Sequence, residues 1–64
     1  MVKVNGESYE MDGRSVAFML DSLNYDRTKI AVELNEDIVP KQTYEETILK
    51  NGDVVEVVSF VGGG

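Results

Sequence analysis

The sequence predicts an α+β domain built from a four- to five-stranded sheet and one main helix. Three observations predict it. Short alternating runs are separated by Asn5-Gly6 and Asn51-Gly52, dipeptides that mark turns between strands. A single stripe, Val16, Met19, Leu20 and Leu23, has the i, i+3, i+4, i+7 spacing of one helix face. A run that is apolar on both sides, Val54 to Val61, leads into Gly62-Gly63-Gly64.

Taken in order, Val2-Lys3-Val4 and Glu7-Ser8-Tyr9-Glu10-Met11 alternate on either side of Asn5-Gly6. A type I′ turn needs positive φ at both central residues, which Asn and Gly tolerate. Strands are therefore expected at about 1–5 and 7–11, with Asp12-Gly13 ending the hairpin. Ser15 is placed to cap a helix over about 16–24, and Asn24 to end it in the left-handed conformation. Ile30, Val32 and Leu34 alternate in a third strand, Asn35-Glu36-Asp37 turns the chain, and Ile38-Val39 forms a short fourth strand. Pro40 lacks an N–H and so puts this strand at a sheet edge. Thr43 and Glu46 have capping-box spacing, which predicts one helical or 3₁₀ turn with Thr43 as its cap. The last strand is expected at about 53–60, within the sheet because both its faces are apolar.

Sixty-four residues make one domain, and a chain this short buries only about 60% of its unfolded surface. No disulfide or Cys/His metal site staples it, since Cys and His are both absent. Met1-Val2-Lys3 runs straight into polar residues without an apolar signal segment, and the longest unbroken apolar stretch is Val16 to Leu20. The expected compartment is the cytoplasm. Twelve Asp and Glu against six Lys and Arg give a net charge of −6, which argues against nucleic acid and membranes as partners. It suits basic protein surfaces.

The absent residues also bound the chemistry. No thiol nucleophile and no imidazole base are available, and there is no Gly-x-Ser-x-Gly elbow or Walker loop. Asn35-Glu36-Asp37 lacks the length and spacing of a calcium loop, so no metal is expected. Neither catalytic residues nor a bound cofactor are expected, and the chain is read as a substrate or carrier rather than an enzyme.

The last strand and the glycines carry the candidate site. One helix covers one face of a sheet. Val55 and Val57 are assigned to that covered core, which leaves Val58 and Phe60 partly exposed beside the tail. Exposed apolar surface of this kind marks partner sites, so Val58, Phe60 and Val61 are the candidate partner-binding residues. Glycine has no Cβ, so Gly62 and Gly63 are suited to thread a narrow active site in another protein. The carboxylate of Gly64 is then the only reactive group to enter. The expected organisation is a domain over 1–61 and a flexible glycine tail over 62–64.

The order of elements resembles the β-grasp fold of ubiquitin-like proteins, in which a helix lies across a mixed sheet and the first and last strands are central parallel neighbours. Val4-Asn5-Gly6, the helix capped by Ser15, Leu34-Asn35, Ile38-Val39-Pro40, Leu49 to Asp53 and the block from Val55 to Gly64 narrow the match. They are similar to the prokaryotic sulfur carrier proteins of thiamine (thiazole) biosynthesis over essentially the whole chain. That family often has glycine near the helix end and in the turn after Leu34-Asn35, where this chain has Asn24-Tyr25 and Glu36-Asp37.

The resemblance implies a cycle at Gly64. An ATP-dependent adenylating enzyme of the ubiquitin-activating type makes an acyl-adenylate. A persulfide sulfur donor converts it to a C-terminal thiocarboxylate, and the sulfur passes to thiazole synthase. Alternatives are the small subunit of molybdopterin synthase, which tends to be longer with a proline-containing approach to its diglycine, and a sulfur carrier of another pathway. From different classes come a protein modifier joined to lysines through Gly64 and a plain interaction module, which needs no free glycine terminus.

Overall fold

The computed structural model describes residues 1–60. The elements are β1 (Val2–Val4), β2 (Glu7–Tyr9), α1 (Val16–Ser22), a 3₁₀ turn (Arg27–Lys29), β3 (Ile30–Leu34), β4 (Asp37–Val39), a second 3₁₀ turn (Lys41–Thr43) and β5 (Val54–Ser59). The five strands form one sheet in the order β2-β1-β5-β3-β4. β1 and β5 are parallel, and the other neighbours are antiparallel. The mixed sheet, its central parallel pair and its single helix are the β-grasp arrangement.

Local chemistry accounts for most of the joints. Asn5 and Gly6 have φ of 50° and 89°, the double positive φ of a type I′ hairpin. The Ser15 Oγ accepts from the Phe18 N–H at 3.0 Å and starts α1. The helix ends in a Schellman motif around Asn24, at φ 65°: the Asn24 N–H donates to the Asp21 carbonyl and the Tyr25 N–H to the Leu20 carbonyl. Leu23 is the C-cap, so the helix is about one residue shorter than its apolar stripe.

The core lies between α1 and one face of the sheet. Val16, Met19 and Leu20 pack with Val2, Val4, Val32 and Val55 in a single buried cluster. The long connection from β4 to β5 closes its side, anchored by buried Tyr44 and Leu49.

Some boundaries differ from those the sequence predicts. The first two strands are shorter, because the ladder closes at Val2↔Tyr9 and the chain turns away before Met11. Thr43 is not a helix cap. The 3₁₀ turn begins after Pro40 and ends at Thr43, whose hydroxyl donates back to the Pro40 carbonyl at 2.9 Å. The turn at Arg27–Lys29, capped by Asp26, has no periodicity to announce it. β4 is the edge strand that Pro40 implies, and β5 is interior as its two apolar faces imply. The expected domain boundary at residue 61 lies outside the described residues. Among those residues, no helix is long and apolar enough to cross a membrane.

Candidate functional site: the open sheet face and the strand that leads to the glycines

β5 occupies the middle of the sheet and has two different faces. Val55 and Val57 point under α1 and are 0% and 8% exposed. Val54, Glu56 and Val58 point to the face without a helix, and Phe60 follows two residues on. Val58 and Phe60 are 52% and 56% exposed. The alternation thus separates core from surface as the sequence predicts. Val61 and Gly62, Gly63 and Gly64 lie outside the described residues.

The path of β5 is set by both neighbours. On one side, β3 pairs with it from Val55 to Ser59, and the Phe60 N–H donates to the Lys29 carbonyl at 2.7 Å. On the other side, β1 pairs only as far as Val4↔Val55. The Asn5 side chain takes over from there. Its Oδ1 accepts from the Val57 N–H at 2.8 Å and its Nδ2 donates to the Val57 carbonyl at 3.2 Å. The carboxamide thus imitates one more strand residue and satisfies an edge that β1 is too short to reach. The Tyr25 hydroxyl lies 3.2 Å from the same Nδ2 and helps to hold it.

A second asparagine acts at the start of β5. The Asn35 Oδ1 accepts from the Val54 N–H at 2.9 Å, and its Nδ2 donates to the Asp53 carboxylate at 3.1 Å. Asp53 is the buried charged residue of the described chain. Burial alone pushes its pKa up. The Lys50 N–H, the Asn35 amide and the Lys50 ammonium outweigh burial and hold the carboxyl below its ordinary value. The sequence marks Asn5 and Asn35 as turn residues only. Their side-chain roles become visible once β5 is seated between them.

The open face combines apolar and acidic side chains. Ile38, Val54 and Val58 are exposed there, 72%, 46% and 52% respectively. Glu33, Glu36 and Glu56 surround a shallow depression beside Val54. Among the described residues, no group of three metal-ligating side chains is assembled. The face is suited to contact with another macromolecule, and β5 carries that surface directly to the residues that precede the glycines.

Known proteins share both the sequence and this architecture. The ThiS family matches the chain over residues 2–64. The sulfur carrier protein ThiS of Bacillus subtilis (strain 168) is 35% identical over 66 residues, with 100% of both chains covered. The thiazole synthase of Paramagnetospirillum magneticum is 40% identical over 62 residues, covering 95% of this chain and 19% of that protein, so the chain spans about a fifth of that relative's length. The crystal structure of the thiamine biosynthesis protein (ThiS) from Geobacter metallireducens superposes with a TM-score of 0.79 at 33% identity, covering 98% of this chain and 97% of that one. A match that runs the length of the chain, at this identity and on the same β-grasp frame, has one meaning: the chain belongs to the ThiS family.

Proposed function

We propose that this chain carries sulfur for thiamine biosynthesis on the carboxyl terminus of Gly64. The observation that carries the reading is the family match through Gly64, in a chain whose central strand ends at Ser59, shortly before that residue in sequence. The relative from Bacillus subtilis is named a sulfur carrier protein and that from Paramagnetospirillum magneticum a thiazole synthase.

The chemistry follows from what a carboxylate lacks. It is a poor electrophile, so its oxygen attacks the α-phosphorus of ATP in an adenylating enzyme and expels pyrophosphate. The resulting acyl-adenylate has AMP as leaving group. The terminal sulfur of a persulfide donor displaces AMP, and reduction of the acyl disulfide by a thiol releases the thiocarboxylate. Thiazole synthase then takes the sulfur. The chain contributes no side-chain nucleophile or base to these steps, in keeping with its lack of Cys and His. Its contribution is presentation: Gly62 and Gly63 admit the terminus to narrow sites, and Val58, Phe60 and Val61 dock the domain beside the entrance. Residues 1–61 act as the docking domain and 62–64 as the threaded end.

The test is intact mass after incubation with the adenylating enzyme, ATP and a persulfide donor. An oxygen-for-sulfur increment is expected, and deletion of Gly64 should abolish it together with ATP–pyrophosphate exchange while thermal unfolding stays unchanged. Normal exchange by the truncated chain would refute the mechanism. A covalent protein adduct in place of the increment would identify a modifier.

A further inference from the structure

We propose that Asn5 is a positioning residue for the activation of Gly64: it fixes the last residues of β5, which the glycines follow in sequence. The β3–β5 register pairs Ser59 with Ile30, and the Phe60 N–H donates to the Lys29 carbonyl at 2.7 Å. That bond sets the phase of the ladder. Val58 and Phe60 turn their backbone groups toward β3, while Val57 and Ser59 turn theirs away from it. On that far side β1 has already stopped, at Val4↔Val55. The Asn5 carboxamide meets Val57 there, at both its N–H and its carbonyl. Among the described residues, no hydrogen bond follows it along that edge of β5.

The hairpin turn does not require this residue. A type I′ turn accepts Gly-Gly or Asp-Gly as well as Asn-Gly. Neither alternative can replace the carboxamide. Glycine has no side chain to offer. An aspartate carboxylate has an acceptor for the Val57 N–H but no donor for the Val57 carbonyl, and it sets a charged oxygen against that carbonyl instead. Tyr25 serves the same end. It is partly buried against the core, and its hydroxyl lies 3.2 Å from the Asn5 Nδ2, so the carboxamide is held from a second side. Val58 and Phe60, the docking residues of the proposed carrier, lie just beyond this clip. With Val57 seated by Asn5 and Phe60 bonded to β3, their spacing is set before an enzyme is met. Without Asn5 the same segment is held along one edge, and the adenylating enzyme has to order it on docking, at an entropic cost. A cost that falls on binding raises KM for this chain and leaves kcat nearly unchanged.

The inference rests on the carrier reading, which supplies the reaction. ATP–pyrophosphate exchange by the adenylating enzyme is measured against the concentration of the full chain, with Asn5→Gly and Asn5→Asp alongside, at a temperature where every protein is folded. Ala17→Gly, which weakens α1 without touching the clip, controls for general loosening of the domain. Both Asn5 variants should raise KM about five- to tenfold and change kcat by less than about twofold. Hydrogen exchange adds a readout apart from activity: Asn5→Gly should lower the protection of the Val57 amide about tenfold or more, while the amides of α1 keep theirs. An unchanged Val57 amide in Asn5→Gly, an unchanged KM, a loss confined to kcat, or an equal rise in KM from Ala17→Gly overturns the inference. The unmodified chain judges the carrier reading. Exchange by that chain with unchanged KM in the variants sinks the positioning role alone, whereas no exchange by the unmodified chain sinks both.

Discussion

Replacing Glu36 by glycine should stabilise the protein. Glu36 has φ 74° in the two-residue turn between β3 and β4, alongside Asn35 at 52°. The turn has no slack, because Leu34 and Asp37 already pair across it. Asparagine tolerates the left-handed region, but a glutamate there places its Cβ against the following carbonyl at a cost of about 1–2 kcal/mol. Glycine removes that strain. It also loses more backbone freedom on folding, which takes back about 0.5–1 kcal/mol. The net gain expected is about 0.5–1 kcal/mol, or about 2–8 °C in melting temperature for a domain of this size. Glu36 is exposed, so no packing is lost. The charge change is a second effect, because Glu33 and Glu56 line the same depression. Glu36→Ala isolates it: alanine removes the carboxylate and keeps the Cβ. Urea unfolding of the three proteins at one ionic strength gives the comparison. If Glu36→Gly is no more stable than Glu36→Ala, backbone strain at this turn is not the cause and the argument fails.

The two faces of β5 predict opposite phenotypes. Val57→Ala should destabilise the fold by about 1–3 kcal/mol through lost burial and a residual cavity, while Phe60→Ala should leave denaturant melts nearly unchanged and weaken binding to the adenylating enzyme. Equal destabilisation by both would place Phe60 in the core. Asp53 predicts a pH dependence. Its folded pKa lies below its ordinary value, so the stability it contributes is complete above the carboxylate range, near about pH 3.9, and is lost as pH falls through the folded value. Urea midpoints measured from about pH 6 down to about pH 2 should therefore fall less steeply for Asp53→Asn than for the unmodified chain. Parallel curves would show that the carboxylate is not held by its hydrogen bonds.

The elements themselves were legible in the sequence because they depend on terms that act over a few residues. Asn5-Gly6 declares a type I′ turn through the φ values those residues tolerate, and Ser15 and Asn24 bracket the helix through the backbone groups they satisfy or the conformation they accept. Alternation assigned Val55 and Val57 to the core and Val58 and Phe60 to the open face, since successive side chains of a strand point to opposite sides. The same local reasoning erred at Thr43, where the capping-box spacing is present but the chain direction imposed by Pro40 starts the turn earlier.

The tertiary structure decided what no short window contains. The parallel pairing of the first and last strands came from the resemblance, not from any periodicity, because nothing within either strand specifies a neighbour. Asn5 completes the edge of β5 at Val57, 52 residues away, and its role exists only because β1 stops at Val4. Asn35 does the same for Val54 from 19 residues away. The Glu33–Glu56 pairing is likewise a matter of register: a slip of one residue between β3 and β5 would put the two on opposite faces. Sequence determines which conformations and faces each segment prefers. Only the packed chain brings distant segments within the few ångströms over which a hydrogen bond or a charge repulsion acts.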